Sequence, residues 1–308
     1  MASARGLIAV DKKGGNVLFL NPVTYKTEIV LDGFEKTVHE LLVVPETSRA
    51  YVPIYGDGIH GRNPNPHHLL CVFDLEKRVL LTTIDLRPCI APHTLKLCPD
   101  GLIYITCENS AKIAVIDRET NKVVETIDSG SNNCHRLIIA PDGQRLYTEN
   151  EEDATISVID VPKRKLLGQV KAPRPLAGIA ISADSRTIVA VDDTEPALFL
   201  IDTQSERIRT EVRLKDVPKA AQIARYAPDW SLLAVTSLNS NTVSLIDPSF
   251  REQTVIPVGS QPMDMAFHGD KLFVPCQGDG SVHVIDIPNQ RHNHSFAAGT
   301  GCESLGFF

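Results

Sequence analysis

"HTLKLCPDGLIYITCENSAKIAVIDRETNKVVETI", residues 93–127, decides the fold. It holds an apolar strand, a Pro-Asp-Gly turn, a second strand and a short polar loop. A third strand ending on Asp117, a turn and a fourth strand follow. The next stretch repeats the plan: "HRLIIAPDGQRLYTEN", residues 135–150, leads on to "ISVID" and "LLGQV". Pro-Asp-Gly makes a tight turn because proline presets φ, aspartate bonds forward to the backbone and glycine accepts positive φ. "IAVID", "ISVID", "LFLID", "VSLID" and "VHVID" are strands rich in β-branched residues, closing on Asp117, Asp160, Asp202, Asp247 and Asp286. Each aspartate is expected to accept bonds from the backbone of the turn that follows.

The unit recurs from His39, His93, His135, Ala177, Gln222 and Met263, roughly every 42 residues apart from a longer second unit. No stretch sustains a helical period, so the chain reads as all-β. Four strands per repeat of this length make a β-propeller blade. Two fragments remain outside the six repeats. "ESLGFF", residues 303–308, is a first strand with nothing after it; residues 5–33 hold second, third and fourth strands with nothing before them. Joined, they complete a seventh blade of four antiparallel strands and close the ring, removing its free edges. The reading is a single propeller over residues 1–308.

The pattern of Pro-Asp-Gly, "LYTEN", "ISVID" and a following Lys-rich turn resembles the YVTN-repeat seven-bladed propellers, similar to lactonase-like propellers and the fungal muconate-lactonizing enzyme. The resemblance runs along nearly the whole chain. It implies the propeller fold; for activity it admits lactonases, lyases, isomerases and scaffolds.

Bulk numbers exclude other classes. A net charge of −7 with no basic stripe offers no footprint for nucleic acid or an anionic membrane. The apolar run in "MASARGLIAVDKKGGN" is too short for a signal-peptide core, and no membrane-length segment follows. A cytoplasmic, monomeric protein acting on a small molecule is expected. Seven cysteines without CxxC spacing read as reduced thiols, with Cys134 and Cys302 as packing residues. There is no Gly-x-Ser-x-Gly elbow and no P-loop. "GDGIHG" and "GDGSVHV" precede no helix, so they are no dinucleotide fingerprint.

The first strand of each blade lines the central channel. One residue per blade at its start gives Glu303, His39, His93, His135, Ala177, Gln222 and Met263. Three histidines and a carboxylate thus fall on consecutive blades, facing three poor ligands. Ligands on one arc with an open side suit a catalytic divalent metal, Zn, Mn, Fe or Ni, held by His39, His93, His135 and Glu303. Some propeller pectate-type lyases are similar, holding a divalent metal with several channel histidines. The insertion "YGDGIHGRNPNPHH", residues 55–68, falls on the same face and reads either as a lid or as a solvated surface loop. It supplies Tyr55, His60 and Arg62: a base from Tyr55 or His60, or from Glu303 if it is no ligand, and a carboxylate clamp from Arg62. Lys12, Lys13, Glu108, Asn109, Glu149, Asp192, Asn239 and Gln277 belong to the same loop class as Tyr55. Strand alternation points Glu40 and Arg136 away from the axis, and Trp230 reads as a packing residue. The function expected is a metal-dependent lyase, isomerase, cyclase or lactonase. The alternatives are a metal-free cyclase using the histidines as hydrogen-bond donors, and a binding scaffold.

Overall fold

The computed structural model of the chain describes residues 4–35, 37–59 and 61–308. His60, a candidate base, lies outside the described residues. Seven antiparallel sheets form the blades of a propeller. Blade 3 is the plainest, running through Pro92–Leu97, Leu102–Cys107, Lys112–Asp117 and Lys122–Asp128. The turn chemistry is as expected. Gly101 has φ +87° and Gly143 +69°, and Asp100 and Asp142 accept from the amides of Leu102 and Gln144, both at 2.9 Å. At the third-strand ends, Asp117 accepts from the Glu119 amide at 2.8 Å and Asp202 from the Ser205 amide at 2.7 Å.

Blade 1 is built from both ends of the chain. Cys302–Phe307 pairs antiparallel with Leu7–Asp11, with Leu7 opposite Phe307; Asn16–Leu20 and Thr27–Leu31 complete the sheet. Asp11 latches the join: Oδ1 accepts from the amides of Thr300 at 3.0 Å and Gly301 at 2.7 Å. The core lies between blades rather than at the axis. Leu70, Val72 and Ile84 of blade 2, for instance, pack on Leu95, Ile103 and Ile105 of blade 3. The outermost strand Val79–Asp85 is mostly exposed, with Ile84 alone buried, as expected of an edge facing water.

Blade 2 departs from the plan. Its inner strand is split into Thr37–Val38 and Leu42–Val44, both paired with Arg49–Gly56. The break is at Glu40, whose φ of +46° is left-handed and ends regular pairing. All seven cysteines are buried and unpaired. Among the described residues no helix is long and apolar enough to cross a membrane.

Candidate metal centre and active site

The starts of the inner strands bring His39, His93 and His135 side by side at one mouth of the channel, all three buried. Their rings meet in sequence, with centroids 4.3 Å apart between His39 and His93 and again between His93 and His135. The mouth opens into a cavity of about 330 Å³ that these rings share with Lys12, Gln222 and Met263.

The carboxylate that stands between His93 and His135 comes from a loop. Glu108 follows the second strand of blade 3, where a register shift between Ile105 and Cys107 and one turn of 3-10 helix, Glu108–Ser110, turn its side chain inward. Glu108 Oε1 stands 3.8 Å from Nε2 of both His93 and His135. Ligand atoms of these three residues all lie within 4.8 Å of one another. Such separations are too long for hydrogen bonds. They are close to those of donors around one ion, which sit roughly 3.4 Å apart when each is about 2.1 Å from the metal.

Each of the three is also held from behind. His135 Nδ1 lies 2.7 Å from Glu149 Oε1 and 3.2 Å from Glu151 Oε2. His93 Nδ1 lies 3.0 Å from Thr94 Oγ1. The Tyr55 hydroxyl donates to Glu108 Oε2. Partners on the far atoms turn both Nε2 atoms and Oε1 toward one point, as outer-shell groups do around bound metals. Burial, then the flanking His39 and His135, pushes the His93 imidazole well below its usual range, so it is neutral and able to ligate. Burial and the neighbouring Glu151 push the Glu149 carboxyl up. That shift favours the protonated form of Glu149 beside His135.

His39 and Glu303 are paired with each other. His39 Nδ1 is 2.5 Å from Glu303 Oε2, and the Lys12 ammonium is 3.0 Å from Glu303 Oε1. Burial alone would raise the Glu303 carboxyl, but His39 and Lys12 outweigh it and bring it down to about 2. A carboxylate with a depressed folded value stabilises the fold above its unfolded value, and the stabilisation fades as pH falls through the folded value. Glu303→Gln is therefore expected to lose roughly 3–5 kcal/mol at pH 7, as when one partner of a buried pair is removed. The gap to the natural chain should narrow toward pH 2. Urea unfolding at pH 7 and pH 3 checks this; equal losses at both would contradict it.

Tyr55 is fully buried. Burial, then the Glu108 charge, pushes its phenol far up, so it keeps its proton and orients Glu108. Arg62 is exposed, and it is Ile59 of the insertion that lines the mouth. The insertion is tied to the blades rather than loose. Asn63 donates to the Tyr55 carbonyl at 2.9 Å, and Asn109 donates to the Asn63 carbonyl at 3.1 Å. Replacing residues 57–67 by a two-residue turn is expected to leave the fold intact and to lower turnover at this mouth sharply; unaltered turnover would show the segment to be decoration.

Sequence alternation fails for Glu40 and Arg136. They meet across the channel, Arg136 Nη1 donating to Glu40 Oε1 at 2.7 Å. The left-handed backbone at Glu40 breaks the alternation that would have turned it outward. Glu108 itself carried one usable signal: "EN" recurs at Glu108-Asn109 and Glu149-Asn150, at the same point of two neighbouring repeats.

No protein-family model matches the chain, and no curated protein matches it. Among solved structures it is similar to the Kuenenia stuttgartiensis hydrazine synthase. The identity is 18%, the TM-score 0.72, and the match covers 88% of this chain and 91% of that one. At that identity the likeness establishes a shared β-propeller fold.

Proposed function

We propose that this propeller is a metal-dependent, non-redox enzyme acting on a small oxygenated substrate at the histidine mouth. The reaction classes are lyase, isomerase or cyclase, and lactonase. The observation that carries the reading is the convergence of His93, Glu108 and His135, each with its far atom held by a partner. The resemblance of the repeats to lactonase-like and muconate-lactonizing propellers supports the same class. A bound divalent ion would supply a Lewis acid for a carbonyl or carboxylate oxygen, or a water of lowered pKa. The chain supplies the rest. Glu149, its carboxyl pushed up by burial and by Glu151, can hold a proton beside His135, and Glu151 can pass one to or from a reacting group. Glu151 itself lines the cavity, as do Lys12, Gln222, Asn239 and Gln277, which can orient polar substrate groups.

The test is elemental analysis of the purified full chain, followed by assays of metal-stripped and reloaded protein. Small lactones, muconate-type dicarboxylates and uronate oligosaccharides sample the three reaction classes. Turnover of one class, lost on stripping and restored by one of Zn, Mn, Fe or Ni, is expected. No metal uptake and no effect of stripping would overturn the metal reading. A metal-free alternative draws on one further contact: with Nδ1 of His39 engaged by Glu303, the ring is oriented to act as a hydrogen-bonding group. Activity that survives stripping but not His39→Ala would favour it.

A further inference from the structure

The channel has a second mouth, on the face opposite the histidines, and the Arg136–Glu40 pair lies between the two. Arg136 lines both cavities. The lower one measures about 350 Å³ and is walled by Lys96, Arg225, Ile181, Ile223, Tyr226 and Trp230. Its charges do not balance. Arg136 is matched by Glu40 at 2.7 Å and Arg225 by Asp264 at 2.7 Å. The Lys96 ammonium has no hydrogen bond or ion pair among the described residues. The Nε of Arg136, a residue 8% exposed, is buried without a partner.

The fold does not call for these cations. Lys96 and Arg225 stand three residues after the ring positions His93 and Gln222. The same place in the other blades holds Leu42, Ile138, Ala180, Ala266 and Gly306. An apolar or small residue suffices there, and a cation in a channel costs solvation free energy unless something compensates it. Burial, then the Arg225 guanidinium, brings the Lys96 amine down to about 8, so at neutral pH it still carries its proton.

We propose that this lower mouth is a second binding site, for a small monocarboxylate with an apolar body. The carboxylate matches the single uncompensated charge, held by the Lys96 ammonium, with the Arg136 guanidinium adding positive potential beside it. The apolar body lies against Ile181, Ile223 and the ring of Trp230. Arg136 borders both mouths, but the site uses none of His93, Glu108 and His135 and does not depend on a metal.

Trp230 is the chain's one tryptophan, and it lines this cavity, so its fluorescence reports on the site directly. The full chain is titrated with butanoate, 4-methylpentanoate and benzoate at constant ionic strength, by fluorescence and by calorimetry. At least one should saturate, and binding should weaken tenfold or more in both Lys96→Met and Lys96→Gln, with thermal midpoints confirming that the variants fold. The matching amide, 4-methylpentanamide, should not bind. Absence of saturable binding by all three acids would overturn the site. So would equal binding by the folded Lys96 variants, by the amide, or by inorganic phosphate alone.

Discussion

Deletion of residues 302–308 is expected to leave the chain insoluble, or to remove most of its stability. Cys302–Phe307 is the inner strand of blade 1 and pairs along the whole of Leu7–Asp11. Cys302, Glu303, Ser304 and Leu305 are all buried. Without the strand, Leu7–Asp11 presents unpaired backbone groups, an edge open to pairing with other chains. The ring contacts of Phe307 with Phe273 and of Phe308 with Phe19 go with it. So does the anion that pairs with Lys12 and His39. Domains are stable by only about 5–15 kcal/mol in total, so the loss of a core strand and its interface is comparable with the whole. Soluble yield and thermal midpoint read the effect. A soluble truncated chain with an unchanged midpoint would contradict the closure of the ring by its two termini.

The second large effect is expected on metal affinity. His93→Ala, His135→Ala and Glu108→Gln should each weaken zinc binding by on the order of 3 kcal/mol, a hundredfold or more. Pairs of these substitutions should cost less than the sum of the single ones, because the ligands act as one unit. Glu149→Gln, which leaves the ligand but loosens its orientation, should cost about 10- to 100-fold. His39→Ala should retain the metal, since among the described residues it is His93, Glu108 and His135 that bring ligand atoms within 4.8 Å of one another. Competition against a chromophoric chelator gives the affinities, and elemental analysis the stoichiometry. Stoichiometric metal retained in His93→Ala and His135→Ala would refute the site. Loss in His39→Ala as well would restore a ligand set that includes His39 and Glu303.

Much of this molecule is determined by local chemistry, which a sequence displays openly. Pro-Asp-Gly turns, strands ending on aspartate and a repeated four-strand unit each depend on residues a few positions apart. They dictate the blades, and with them the register that lines up His39, His93 and His135 around one mouth. The orphan strand at the end of the chain calls for the closure of blade 1 for the same reason: a sheet edge must be paired.

The tertiary structure alone decided which carboxylate stands beside both His93 and His135. By register at the strand starts the candidate is Glu303, but Lys12 and His39 claim both of its oxygens. Glu108 takes the place beside His93 and His135, carried inward by a register shift and a single helical turn that strand alternation cannot register. The left-handed backbone at Glu40 likewise turns an outward position into one half of a bridge across the channel. Period-two reasoning assumes extended backbone, and it fails where one residue leaves that conformation. Charge matching across blades is equally invisible in a linear chain: Glu40 and Arg136 lie far apart in sequence, and only the closed ring brings them together.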